Sequence, residues 1–278
     1  MTQVTLYPNC KINMGLRVVG KRADGYHNLE TLFFPVYGLH DTLTISKTDT
    51  FVFEEEGLAV DCDASDNLIV KCYRLMQSHY PQVGNVHIRF RKTIPFGAGL
   101  GGGSSDAAHT ALAINELFEL GLSKDVLAAL VGKLGADCPF FVYNTPCYAE
   151  GIGDVLQPIS LQTGAFRLVL VKPDTAVSTR EAYSGITLHP EASGEIARAL
   201  RENQPLEMMF PLLINDFEQT IFPLHPELAA IKQHLLTIGA RYASMSGSGS
   251  TVFGLFPKDS VVETQALSRY GKVYIFDL

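Results

Sequence analysis

The chain has 278 residues, enough for two domains with a core in each, and its formal net charge of −7 disfavours nucleic acid or an anionic membrane as partner. Apolar residues make up 46%, no run reaches the length of a membrane span, and Met1-Thr-Gln-Val-Thr-Leu-Tyr7 lacks the basic start and apolar stretch of a signal peptide, so a cytoplasmic enzyme is expected. The five cysteines, Cys10, Cys62, Cys72, Cys138 and Cys147, form no C-x-x-C pair, which argues against a disulfide framework or structural zinc site.

Strand signals dominate the N-terminal third, at residues 4–7, 16–19, 42–46, 51–53 and 86–90. In Asn9-Cys-Lys-Ile-Asn13, Lys11 and Asn13 alternate with Cys10, Ile12 and Met14 and so share one face of a strand. Taken alone, that pair reads as an ordinary solvated sheet face. Lys21-Arg-Ala-Asp-Gly-Tyr-His27 holds an Asp-Gly turn with two cations before it and two rings after it. Two cations can hold phosphate and Tyr26 or His27 can stack on a base, or the segment is an exposed hairpin with incidental aromatics. Residues 67–78 read as one helix, with Leu68, Ile69, Cys72, Leu75 and Met76 on a stripe.

The most informative stretch is Pro95-Phe-Gly-Ala-Gly-Leu-Gly-Gly-Gly-Ser-Ser-Asp-Ala-Ala108, with Gly97, Gly99, Gly101, Gly102 and Gly103 inside seven positions. Ser104-Ser105-Asp106 reads as an N-cap cluster, and residues 107–120 as the helix that it caps. Loop N–H groups that meet the positive end of a helix dipole make a phosphate site. Gly97, Gly99 and Gly102 match G-x-G-x-x-G, but Glu119, at the spacing of the ribose-binding acid, falls in the helix rather than at the end of a second strand. Gly97 and Gly102 also fit the glycines of a Walker loop, with Gly103 where the lysine belongs. A protein-kinase loop would run into a strand, and this one runs into a helix. What remains is a nucleotide-phosphate loop of another design.

A further helix is expected at 122–134. After it, Leu134-Gly-Ala-Asp-Cys-Pro-Phe140 leaves Asp137 on an irregular turn, since glycine before it and proline after it should end the helix. An aspartate there serves as a general base or merely caps the turn; on this motif alone the cap is the commoner case. A short strand at 147–150 and a boundary within 151–164 give domains at 1–160 and 161–278. The second domain shows a strand at 167–172, helices at 195–203, 212–221 and 226–238, strands at 241–244 and 251–256, a helix at 260–270 and a strand at 273–276. Without its extra helices this is the split βαβ pattern. Ser244-Met-Ser-Gly-Ser-Gly-Ser-Thr251 is either a second anion-contacting loop or a flexible hairpin connection.

In combination, Pro-x-x-x-Gly-Leu-Gly-x-Gly-Ser-Ser ahead of a helix and S-G-S-G-S-T in a βαβ-like domain resemble the GHMP small-molecule kinases. Within them, K-I-N at 11–13, R-A-D-G-Y-H at 22–27, N-L-I-V at 67–70 and L-G-A-D-C-P at 134–139 are similar to one branch. That branch phosphorylates a diphosphocytidyl sugar-alcohol in the non-mevalonate route to isoprenoids. The resemblance implies an α+β, two-domain GHMP kinase fold, with an N-terminal domain like domain 2 of ribosomal protein S5 and a ferredoxin-like, split βαβ C-terminal domain. It implies ATP-dependent phosphorylation of the 2-hydroxyl of 4-diphosphocytidyl-2-C-methyl-D-erythritol, with Mg²⁺ accompanying the nucleotide and no nucleic acid or membrane as partner. Asp137 would be the base and Lys11 its electrostatic partner. Pro95, Phe96, Gly97, Ala98, Gly99, Leu100, Gly101, Gly102, Gly103, Ser104, Ser105 and Asn67 would bind ATP. Asn13, Tyr26, His27, Thr179, Tyr183, Gly247 and Ser248 would bind the substrate, and no residue is assigned to a metal. Asp106 sits oddly beside a polyphosphate unless Mg²⁺ lies between them. Cys10 stands where a small alanine is more usual. The motif at 22–27 discriminates against a homoserine or mevalonate-type kinase, and a non-catalytic nucleotide-binding regulator should have lost Lys11 or Asp137.

Overall fold

The computed structural model describes residues 1–59 and 65–278. Cys62 lies outside them, and Cys10, Cys72, Cys138 and Cys147 are buried free thiols. Contacts divide the chain into two compact units, one of Met1–Lys11, Pro35–Phe96 and Gly101–Thr145, the other of Ile12–Phe34, Gly97–Leu100 and Pro146–Leu278. After β1 (Gln3–Leu6), the long strands β2 (Asn9–Lys21) and β3 (His27–His40) each contribute to both units. A linear cut near residue 160 follows chain order, whereas the contacts follow these strands. No alternation marks β3 in the sequence, because residues 29–36 are buried without interruption and Pro35 and Gly38 fall inside it.

The first unit holds a sheet in the order β1-β4-β6-β5, with β4 (Thr42–Lys47), β5 (Val52–Gly57) and β6 (Val86–Lys92). Its pairings are antiparallel except β5 with β6. Helix α1 (Leu68–His79) precedes β6, and α2 (Gly102–Leu117), α3 (Lys124–Val131) and α4 (Cys138–Tyr143) follow it. Helix α2 packs against α1, α4 and β4, because its buried residues include alanines at 107, 108, 111 and 113, small enough for close approach. Leu43, Ile45, Ile88 and Phe90 of the sheet are core residues of this unit.

In the second unit β7 (Cys147–Glu150) pairs with β3 and with β8 (Val155–Pro158). There follow β9 (Phe166–Lys172), α5 (Thr179–Tyr183), α6 (Glu195–Arg201), α7 (Leu206–Met209), α8 (Glu218–Leu224), α9 (Pro226–Thr237), β10 (Tyr242–Met245), β11 (Val252–Pro257), α10 (Thr264–Leu267) and β12 (Lys272–Asp277). The sheet order β10-β11-β9-β12, antiparallel throughout, is the split βαβ arrangement. Val169, Val171, Leu228, Ile231, Met245 and Phe256 lie in its core.

Two expected helices are corrected. Across 212–221 the chain turns at Asn215 and Asp216, whose side chains are taken by other backbone groups. Asn215 Nδ2 donates to the carbonyls of Met245 (2.7 Å) and Gly247 (2.9 Å), and Asp216 Oδ2 accepts from the Val18 N–H at 2.7 Å. Such side-chain bonds compete with the helical ladder and win here. Over 260–270 only Thr264–Leu267 is α-helical, because Leu267 alone of that helix is buried and no apolar face drives a longer one.

Candidate active site

Helix α2 begins at Gly102, earlier than expected, and its N-cap is Gly101 at φ +70°, with no side-chain cap bond. Ser104, Ser105 and Asp106 therefore lie inside the helix and cap nothing. The Ser105 N–H already donates to the Gly101 carbonyl at 2.9 Å, and its buried hydroxyl lies 3.3 Å from His109 Nδ1. The first-turn N–H groups of Gly102, Gly103 and Ser104 have no intrahelical acceptor, so the donors offered to an anion are backbone groups at the positive end of the dipole. Phe96 is 60% exposed, while Ala98 and Leu100 are buried.

The middle of the loop is braced. Ala98 O accepts from the Thr251 N–H at 3.2 Å, and Gly99 O accepts from Ser246 Oγ at 2.8 Å. Ser246 Oγ in turn accepts from the Asn13 N–H at 3.2 Å. A Cβ on Gly99 (φ +71°) would lie 2.0 Å from the Ser246 carbonyl oxygen, so no larger residue fits. The segment 244–251 is thus a support for residues 97–100 and not a free hairpin connection.

Asp137 does stand on a turn, at the N-cap position of α4, but its side chain makes no cap bond. Pro139 opens α4 instead of ending a helix, as proline in a first turn can. The Asp137 carboxylate lies 3.5 Å from Lys11 Nζ, with the Lys11 side chain 4% exposed and that of Asp137 34% exposed. The solvated-face reading of Lys11 and Asn13 is overturned, since both are buried. The shared face was read correctly, but β2 is covered on both faces from Asn9 to Val18, so alternation did not separate inside from outside. Asn13 Nδ2 donates to Thr31 Oγ1 at 3.0 Å. Lys11 Cε lies 3.2 Å from where a Cβ on Gly101 would stand, so the ammonium-bearing chain packs directly against the N-cap of α2. Burial raises the Cys138 thiol to about 12, against a hydrogen bond to Ser104 that lowers it.

A buried charge cluster went unread in the sequence. Lys92 Nζ lies 2.6 Å from both Asp41 Oδ2 and Asp106 Oδ2, and all three side chains are nearly inaccessible. Asp41 Oδ1 accepts from the N–H groups of Thr93 (2.5 Å) and Ile94 (2.8 Å). Burial works against the Lys92 ammonium, but the carboxylates outweigh it and raise its pKa; burial also pushes Asp106 well up, with Lys92 pulling the other way. Removing one partner would leave a buried charge uncompensated, at about 3–5 kcal/mol. The signal was present: in the alternating V-H-I-R-F-R-K of β6, Lys92 occupies the buried phase of Val86, Ile88 and Phe90. The placement of Asp106 is explained by Lys92.

Among the residues assigned to substrate, the segment 21–27 turns back between β2 and β3 as a hairpin, with the Arg22 N–H donating to Tyr26 O at 2.8 Å. Arg22 is paired with Asp24 at 2.9 Å, so one of the two cations is already engaged. Tyr26 is 61% exposed. His27 stacks on Tyr183, centroids 4.8 Å apart and planes at 19°. Burial, helped by Lys21, lowers the His27 pKa, which favours the neutral ring. Thr179 Oγ1 lies 3.5 Å from Ser248 Oγ, and Gly247 offers its carbonyl to Asn215. Asn67 caps α1, its Oδ1 accepting from the Ile69 N–H at 2.9 Å and its Nδ2 donating to Glu55 at 3.3 Å. Among the described residues, no helix is long and apolar enough to cross a membrane.

Residues 67–145 match the GHMP kinases N terminal domain, and residues 189–272 match the GHMP kinases C terminal region. The 4-diphosphocytidyl-2-C-methyl-D-erythritol kinase of Parabacteroides distasonis is 45% identical over 263 residues, covering 94% of each chain. A crystal structure of 4-(cytidine 5'-diphospho)-2C-methyl-D-erythritol kinase superposes with a TM-score of 0.79 at 33% identity, over 98% of both chains. Homoserine kinase from Cytophaga hutchinsonii, with a TM-score of 0.73 at 14% identity over 99% of this chain and 94% of its own, shares the fold alone. The chain belongs to the GHMP kinases and, within them, groups with the proteins named 4-diphosphocytidyl-2-C-methyl-D-erythritol kinase.

Proposed function

We propose that this chain transfers the γ-phosphoryl group of ATP to the 2-hydroxyl of 4-diphosphocytidyl-2-C-methyl-D-erythritol, as a cytoplasmic enzyme of isoprenoid precursor synthesis without nucleic-acid or membrane partners. The observation that carries the reading is the placement of Lys11. Its ammonium is 3.5 Å from the Asp137 carboxylate, and its Cε packs against Gly101, the N-cap where phosphate-binding N–H groups begin. A carboxylate that can take a proton and a cation that can offset phosphoryl charge thus adjoin an anion-binding helix end.

Phosphoryl transfer has a loose transition state, so positioning and charge compensation dominate. The substrate hydroxyl oxygen forms a bond to the γ-phosphorus as the bond to the β,γ-bridging oxygen breaks, and ADP leaves. The hydroxyl proton goes to Asp137, whose carboxylate lies 3.5 Å from the Lys11 ammonium. Residues 95–105 hold the ATP phosphates through backbone N–H groups, and Asn67, while capping α1, borders the nucleotide. Asn13, Tyr26, His27, Thr179, Tyr183, Gly247 and Ser248 recognise the diphosphocytidyl substrate, with the neutral His27 ring able to donate to or accept from a pyrimidine edge. Mg²⁺ would enter with the ATP phosphates and neutralise part of their charge.

A coupled ADP-release assay tests the reading. Turnover with the diphosphocytidyl substrate and none with homoserine or mevalonate is the expected result; preference for either of the latter would overturn it.

A further inference from the structure

We infer that Lys92 is a positioning residue for the nucleotide: its buried ammonium ties the two ends of the phosphate loop together. The inference rests on the reading of residues 95–105 as the ATP-phosphate loop. On the entry side, Asp41 holds the backbone N–H groups of Thr93 and Ile94, immediately before Pro95, through Oδ1, and grips Lys92 through Oδ2. On the exit side, the same ammonium binds Asp106 in α2 at 2.6 Å. A Cβ on Gly102, the first residue of α2, would stand 3.0 Å from Lys92 Nζ and 3.1 Å from Ile94 Cγ2, so the ammonium lies directly against the helix start. One charged atom therefore fixes where the loop begins and where its helix starts, and with them the direction of the first-turn N–H groups.

The charges favour this role over a direct contact with phosphate. Lys92 faces two carboxylates, Asp41 through Oδ2 and Asp106 through Oδ2, and the buried Asp106 Oδ1 has no hydrogen-bond partner among the described residues. The ammonium is taken up by its neighbours and is 2% exposed, so it serves the nucleotide by holding its donors and not by touching it. A cluster needed for the fold alone would change stability without distinguishing the two substrates. A positioning cluster changes nucleotide affinity selectively, since small misplacements of binding groups are costly.

Asp106→Asn cuts the charged link to α2 while keeping the side-chain shape, and Lys92→Met removes the ammonium itself. Each is compared with the wild type by calorimetric titration with ADP, by steady-state kinetics in both substrates and by thermal melting. An absence of ADP binding by the wild type would overturn the phosphate-loop reading and this inference with it. With wild-type binding present, the expected result for Asp106→Asn is a rise in the ADP Kd and in the ATP KM of about tenfold or more, against a change of no more than about threefold in the KM for the cytidyl substrate and in kcat at saturating ATP. Lys92→Met should show the same pattern more strongly where it folds. A lowered melting temperature with unchanged ADP affinity in folded Asp106→Asn, or an equal loss for both substrates, overturns the positioning role.

Discussion

Gly101 joins the proposed phosphate loop to Lys11, one of the proposed catalytic pair, and substituting it tests both proposals at once. Its φ of +70° is unfavourable for any residue with a side chain, and a Cβ there would meet Phe141 Cζ at 2.9 Å and Lys11 Cε at 3.2 Å. The backbone conformation costs an alanine about 1–2 kcal/mol, and overpacking against the ring adds about 1–3 kcal/mol. Gly101→Ala should therefore lower stability by about 2–5 kcal/mol. The relief available is movement of Phe141 or of Lys11, and a shift of Lys11 disturbs its 3.5 Å approach to Asp137. Misplacement of a catalytic group by about 1 Å can cost about 10²-fold, so kcat in the coupled ADP-release assay should fall by about one to two decades. Gly97→Ala is the matched comparison, since Gly97 also has positive φ, +61°, but nothing lies within 4 Å of its added Cβ. That variant should show only the conformational cost in stability and keep most of its kcat at saturating ATP, with any crowding of the phosphates appearing in the ATP KM. Equal loss of kcat in both variants would refute the claim that crowding of Lys11 is what matters, and a normal melting temperature in Gly101→Ala would refute the steric reasoning altogether. Gly101→Val should go further and abolish the thermal shift given by an ATP analogue.

Asp137→Asn and Lys11→Met should each lower kcat by about 10²–10⁴ with ADP affinity kept within about threefold, and near-normal turnover in folded Asp137→Asn protein would remove Asp137 as the base. His27→Ala removes the face that stacks on Tyr183 at 4.8 Å and should raise KM for the cytidyl substrate about tenfold while leaving ATP unchanged; an equal effect on ATP would mean the two binding regions are assigned the wrong way round.

The sequence made the sheet of β9 to β12 legible because each strand is a short β-rich run set off by helical or turn segments, and their order follows from the split βαβ pattern. It concealed β3, whose continuous burial removes the period on which a strand is recognised. The same covering on both faces hid the burial of Lys11 and Asn13. The glycine loop was recognisable from composition, but its helix start was not. A serine caps only if its own backbone is extended, and here the helix starts after Gly101 at positive φ, three residues sooner, which leaves Ser104 helical. The cluster of Lys92, Asp41 and Asp106 joins residues up to 65 positions apart in the chain, a partnership no local pattern encodes, although the buried phase of Lys92 marked it as paired.

A net charge of −7 and a polyanionic co-substrate raise the question of what attracts ATP. The two lysines beside the start of α2 already have counter-ions, Asp137 for Lys11 and Asp41 with Asp106 for Lys92. Attraction must then come chiefly from backbone N–H groups and the N-terminal end of α2, which act at hydrogen-bond range and fade within a turn. Such a site gains little from long-range steering, and salt, which screens exposed charges beyond about 10 Å at 0.1 M, has little to weaken. With Mg²⁺ kept in excess, the Kd for ATP should change less than about threefold between about 0.05 and 0.5 M KCl, whereas several uncompensated cations would lose an order of magnitude or more. Steep salt dependence would mean that Lys11 or Lys92 leaves its carboxylate when the nucleotide binds. In that case Lys11→Met or Lys92→Met should flatten the dependence, and the variant that does so identifies the cation that moved.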